Sequence, residues 1–372
     1  MILKATTSMT LYALVVFTAL IHFSISLKDA GAKTNQTTSE DMARSKLEQP
    51  VENIQISYVT LRNKTGSNAP SDFFGGLRGN LYAGACTISL SPIWGLGELA
   101  NSAPFYIPDE KIELKSIIES STDELLYGIK SFSRKDDGNV VVYIHGYNID
   151  FEKGCRHSAV LQRSLGLHDR LLLFSWPADG SMLKYTWDEA DLVWSVPFMA
   201  DFFEDLVKES GYGRTDIVAH SLGARGAVQA LTRLAYREYD RSLLDELVLI
   251  APDIDADTFK HDLPLLKRVV NRITIYVSEN DKALKLSSEV HGYPRLGEAG
   301  DALTILEGVE TIDISLLSTQ RLSGHVYHLS NKEVVEDLAL LLHSKSPAAK
   351  RPGLKKIEHE GMPYWQLLPD DK

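Results

Sequence analysis

The stretch TDIVAHSLGARGAVQAL, residues 215–231, decides how the rest of the chain is read. Its first half, Ile217-Val218-Ala219, is a short apolar run that stops at His220-Ser221. Beyond it, Ala224, Ala227, Val228, Leu231 and Leu234-Ala235 share one helical face, and Arg225, Gln229, Arg233 and Arg237 share the other. The pattern predicts a strand, a sharp corner and a helix, with Ser221 at the corner. In the motif G-x-S-x-G such a serine is lifted above the sheet. The residues two before and two after it must be small, because strand and helix backbones come close there. Here the frame is Ala219-His220-Ser221-Leu222-Gly223, so alanine replaces the first glycine and adds one methyl group. A serine that only caps a helix gives the same local pattern. The corner therefore needs support from elsewhere in the chain.

That support begins with the flanking runs. NVVVYIHGYN, RLLLFSWP, DELVLIAPD, RITIYVSEND and ETIDIS are short, rich in β-branched residues or leucine, and apolar on both faces. Such runs predict parallel strands covered by helices. Helical spacing recurs over residues 151–165, 187–210, 222–237 and 331–344. The fold class expected is α/β, a doubly wound, mostly parallel sheet. IQISYVTLR and LYAGACTISL alternate as antiparallel lead-in strands, and residues 112–132 have the spacing of an amphipathic helix.

In such a sheet, ligands bind beyond the carboxyl ends of the strands. His145-Gly146-Tyr147-Asn148, Ser175-Trp176, His220-Ser221, Asp253 and Asp281 all fall there, and His325 follows the last strand. A serine hydroxyl attacks carbon only when a base takes its proton. The chain order expected in this architecture is serine, acid, histidine. Asp281 is the first choice for the acid and Asp253 the second. His325, behind Gly324, is preferred to His328, and His291 comes before the last strand and so too early. The amide of Leu222, at the helix start, is a natural oxyanion donor, with the backbone of Tyr147 as its partner. His145 then shapes the loop rather than reacts. Between Trp176 and Thr215, the aromatic residues Tyr185, Trp187, Trp194, Phe198, Phe202 and Phe203 suit either an acyl pocket or a helix packed on the sheet.

The chain of 372 residues is 44% apolar, enough for one large core. Its net charge of −11 argues against nucleic acid as a partner. Cys86 and Cys155 are too few for a disulfide framework or a zinc site. They are expected to be small buried hydrophobes, with a single bridge left open if the protein is exported. Residues 9–26 form an uncharged apolar run near the N-terminus, apart from His22. It suits a signal peptide, with Ser24 and Ser26 as a small-x-small cleavage pattern, or an uncleaved membrane anchor. The organisation expected is a leader over residues 1–27, a flexible tether over 28–52, a catalytic domain over 53–345 and a tail over 346–372.

Taken together, VVYIHGYN, LLFSWPADG, IVAHSLGARGAVQAL, LVLIAPDID, YVSENDKAL and SGHVYH resemble the alpha/beta hydrolase superfamily. The likeness is greatest to its bacterial, esterase/lipase-like branch known as domain of unknown function 900, over roughly residues 54–345. The resemblance implies the fold and a triad of Ser221, Asp281 and His325. The branch commonly reads A-H-S-M-G, and Leu222 departs from that without loss of the backbone amide. The activity expected is hydrolysis of a small-molecule carboxylic ester through an acyl-enzyme, with no cofactor and no metal. The fold also hosts non-catalytic binding modules, so an inactive homologue that holds a ligand or partner stays open.

Overall fold

The structure, a computed structural model, describes residues 52–90, 112–133, 138–180, 184–317 and 325–370. The leader, all but the last residue of the tether, and Gly324 lie outside the described residues.

The doubly wound sheet starts from β4 (Val140–Ile144), which is wholly buried. Val140, Val142 and Ile144 enter the core on one face, and Val141 and Tyr143 enter it on the other. A strand with two apolar faces needs helices on both. The chain supplies α2 (Phe151–Ser164), β5 (Leu171–Ser175), α3 (Tyr185–Ser210), β6 (Thr215–His220) and α4 (Leu222–Ala235). It goes on through β7 (Leu244–Ile250), α5 (Ala256–Val269), β8 (Val270–Val277), α6 (Lys282–His291), β9 (Glu310–Asp313) and α7 (Lys332–Ser344). Residues of α3, α4 and α5 fill one core, and residues of α2 and α7 fill the other.

Before β4 come β1 (Glu52–Lys64), β2 (Phe74–Leu90), β3 (Ile112–Ser120) and α1 (Thr122–Ser133), and β10 (Leu354–His359) and β11 (Met362–Leu367) close the chain. The order across the eleven-stranded sheet is β10-β11-β9-β8-β7-β6-β4-β5-β1-β2-β3. From β1 through β5, β4, β6, β7, β8 and β9 to β11, neighbours run parallel, and an antiparallel pairing finishes each edge. The chain leaves β4 to one side for β5 and returns to its other side for β6. That reversal opens a crevice at the carboxyl end of β4, where α/β sheets hold ligands. It sets the loop after β4 beside the corner after β6.

Two details depart from the sequence reading, and a third adds to it. Residues 112–120 are strand and not helix. β3 pairs antiparallel with β2, and Lys115 is the extra residue where Thr87 meets Ser116 and Ile88 meets Leu114. That bulge shifts the phase of the apolar positions, so they mimic a helical spacing. Cys86 of β2 and Cys155 of α2 are both fully buried, but as a disulfide rather than as separate hydrophobes. Finally, the segment after residue 345 is part of the sheet. Its hairpin joins β9 through Trp365 opposite Ile312 and Gln366 opposite Asp313. Buried Arg351 fastens it, donating from Nη1 to Asp337 at 2.7 Å and from Nη2 to Glu310 at 3.3 Å. Among the described residues, no helix is long and apolar enough to cross a membrane.

Candidate active site

Ser221 sits between β6 and α4 with φ 54° and ψ −126°, a backbone region that residues other than glycine rarely enter. Its surroundings hold it there. Its amide donates to the carbonyl of Ile250 at 2.9 Å, and its own carbonyl accepts from Ala224 at 3.0 Å and Asp253 at 3.2 Å. The corner works only with small neighbours. A Cβ on Gly223 would stand 2.2 Å from the carbonyl oxygen of His145, and one on Gly146 would stand 2.9 Å from the Cβ of Ser221. Asn148 and Ala251, just past β4 and β7, also have positive φ, at 59° and 45°. Strain held in place by its surroundings is characteristic of functional rims.

The structure brings the three sequence-chosen side chains together. His325 Nε2 lies 2.8 Å from Ser221 Oγ, and His325 Nδ1 lies 2.7 Å from Asp281 Oδ2. An ionised carboxylate only accepts, so Nδ1 carries the proton and Nε2 is left to receive the serine's. Asp281 is fully buried and caps α6 with its other oxygen, which accepts from the amides of Ala283 at 3.0 Å and Leu284 at 3.1 Å. One carboxylate thus fixes both its own helix and the imidazole. Burial works against a charge on His325, but Asp281 and, farther off, Asp253 outweigh it and raise the pKa above the ordinary value.

The second choices, Asp253 and His328, and the rejected His291 have other partners. Asp253 accepts from Tyr185 Oη at 2.5 Å and from Ser287 Oγ at 2.7 Å, while its carbonyl accepts from Arg225 Nε at 2.9 Å. His328 pairs with Tyr143 Oη at 3.2 Å, and His291 Nε2 lies 3.1 Å from Glu189. Leu222 is the first residue of α4, so its amide belongs to the helix end whose donors lack an intrahelical partner. Tyr147 lies in the loop after β4, with its ring edge-on to that of Tyr185 at 5.2 Å. Of the aromatic stretch, Tyr185 reaches this group, through Asp253 and the Tyr147 ring. Phe202 and Phe203 pack on Phe174 in the core, and Arg78 covers Trp194. Among the described residues, no cluster of three or more ligating side chains suits a metal ion.

Two residues beside the site had no role in the sequence reading. His220 Nε2 lies 2.9 Å from the carbonyl oxygen of His325. A carbonyl cannot donate, so Nε2 holds the proton. Burial, with His328 and His325 nearby, pushes the pKa of His220 well below its ordinary value. The ring is a neutral tether for the histidine loop. Arg62, at the end of the apolar run IQISYVTLR, is fully buried below the loop after β4. The sequence signal for it was a single cation closing an apolar strand.

Residues 120–344 match the family model described as alpha/beta hydrolase of unknown function, DUF900. The chain belongs to this family. Over 228 residues it is 22% identical to the uncharacterized protein alr1448 of Nostoc sp., covering 46% of this chain and 59% of that protein. The chain thus spans less than two thirds of that relative. Among solved structures it is similar to the carboxylesterase CesB of Bacillus subtilis, at 13% identity, 60% of this chain, 99% of that one and a TM-score of 0.30. It is also similar to a hyperthermophilic esterase of Pyrobaculum calidifontis, at 12% identity, 82% of this chain, 88% of that one and a TM-score of 0.32. The fold is that of an alpha/beta hydrolase, with the DUF900 motifs gathered at one rim of the sheet.

Proposed function

We propose that this DUF900 chain is a serine hydrolase that cleaves carboxylic esters through an acyl-enzyme. The observation that carries the reading is the unbroken line Ser221 Oγ, His325, Asp281, with contacts of 2.8 and 2.7 Å. Ser221 Oγ bonds to the ester carbonyl carbon as His325 Nε2 takes its proton. Asp281 holds the imidazole tautomer and balances the imidazolium charge. The amides of Leu222 and Tyr147 receive the oxyanion. As the carbon–oxygen bond to the alcohol breaks, His325 protonates the leaving oxygen. Water then gives a proton to His325 as it bonds to the acyl carbon, and when the bond from that carbon to Ser221 Oγ breaks, His325 returns the proton to Oγ and the acid is released. None of these steps routes through a cofactor.

Ser221→Ala tests the assignment. It should lower kcat toward a short-chain aryl ester by roughly 10⁴-fold or more, and undiminished turnover would refute it. As part of the same proposal, the protein works outside the reducing cytosol. The buried Cys86–Cys155 bridge and the apolar run over residues 9–26 support that placement.

A further inference from the structure

Arg62 is a charge in an unusual place. It is completely buried, and a buried ion ordinarily needs an opposite charge in contact with it. Here the guanidinium donates to neutral acceptors: Nε to Ser175 Oγ at 2.8 Å, Nη1 to the carbonyls of Ala178 at 2.7 Å and Gly75 at 3.3 Å, and Nη2 to the carbonyl of Ile149 at 2.6 Å. Nη2 also lies 3.4 Å from His145 Nε2. Burial lowers the pKa of Arg62 to about 10, against the favourable fields of Asp150, Asp188 and Asp179, so the charge persists at neutral pH.

Three of these acceptors share a location. Ile149 lies two residues past Tyr147, and Ser175 and Ala178 flank the turn after β5. That turn grips the same loop from the other side. Trp176 donates from Nε1 to the carbonyl of His145 at 2.8 Å and stacks on the His145 ring at 5.2 Å. From α3, Asp188 accepts the amide of Asn148 at 3.3 Å. The loop carrying Tyr147 is thus held at a backbone group on each side of that residue, and Arg62 joins the loop to the β5 turn through one rigid fork. A lysine has the charge but not the planar array of donors that serves two carbonyls in fixed directions.

We infer that Arg62 is a positioning residue for the oxyanion half of the site: tying Ile149 and Ala178 to one guanidinium sets where the Tyr147 amide points. The inference rests on the serine hydrolase reading. Arg62 touches no reacting atom, so its loss should weaken transition-state binding and leave ground-state binding intact. A displacement of about 1 Å at such a site can cost on the order of 10²-fold in rate.

The test uses the full chain with p-nitrophenyl acetate and a boronic acid that mimics the tetrahedral adduct. In Arg62→Lys, kcat should fall roughly 10- to 100-fold with little change in KM, and boronate affinity should fall in parallel with kcat. Ser175→Ala removes the acceptor of Nε together with the 3.2 Å contact between Ser175 Oγ and His145 Nε2, so it should show the same split with a loss of several-fold. A folded Arg62→Lys protein with wild-type kcat, or with a raised KM alone, overturns the inference. If Arg62→Lys does not fold, Ser175→Ala decides, and unchanged kcat there overturns it as well. A wild-type chain inert toward the ester overturns the parent reading and the inference with it. An active wild type beside an unaffected variant overturns the inference alone.

Discussion

His325 is pulled in opposite directions, and the outcome sets how the protein responds to pH. Burial opposes the imidazolium, Asp281 at 2.7 Å and the more distant Asp253 favour it, and the carboxylates prevail. The base acts only when neutral, so kcat/KM should fall as pH drops through a pKa above the ordinary 6.5. The sign for stability is opposite. A histidine whose folded pKa is raised contributes stability that is complete below 6.5 and is lost as pH rises through the folded value. Asp281→Asn keeps an oxygen to cap α6 but removes the charge, so burial then acts with less opposition. In that variant the acid limb of the pH–rate profile should move down and kcat should fall by about 10⁴-fold; a limb that stays in place would contradict the coupling. Ser221, Asp281 and His325 were legible because chain order and strand ends confine them to a few positions. Arg62 was not, because Ile149 and Ala178 lie 87 and 116 residues away in sequence, and no local pattern encodes them.

Among the elements, those with two apolar faces read most easily. β4, β5 and β6 are wholly buried, and their unbroken apolar runs say so. β3 was misread because the bulge at Lys115 breaks its two-residue alternation. β10 reads poorly for another reason. It is an edge strand whose residues are all at least partly exposed, so LKKIEH has no buried stripe to betray it. Besides its pairing with β9, this hairpin is anchored by Arg351, which donates to Asp337, to Glu310 and to Tyr276 Oη at 3.2 Å. Arg351→Met would strand Asp337 without its cation inside the protein. Breaking a buried pair from one side costs about 3–5 kcal/mol. Urea unfolding should show a loss of that order, and an unchanged midpoint would mean the hairpin is held by something else.

For the molecule as a whole, the disulfide is the long-range restraint. It closes a span of 69 residues and ties the antiparallel edge, through β2, to α2, the helix that follows the Tyr147 loop. Constraining a loop of that length stabilises a fold by about 4 kcal/mol in the chain-entropy model, and commonly by less in practice. Reduction, or Cys86→Ala with Cys155→Ala, should therefore lower unfolding stability by roughly 2–4 kcal/mol. Both cysteines are buried, so the trap must be set on unfolded protein: thiol alkylation under denaturing, non-reducing conditions on protein taken from its native cells should leave both unmodified, whereas alkylated cysteines would contradict the proposed export. The sequence allowed both a bridge and two separate thiols, because pairing depends on the packing of β2 against α2.

The central claim is that His325 makes Ser221 a nucleophile, and covalent labelling reads it most directly. A fluorophosphonate probe on the intact chain, followed by mass mapping, should give a single adduct on the peptide containing Ser221. Replacing His325 with alanine should abolish it. An adduct on another residue, no adduct at all, or undiminished labelling without His325 would contradict the account.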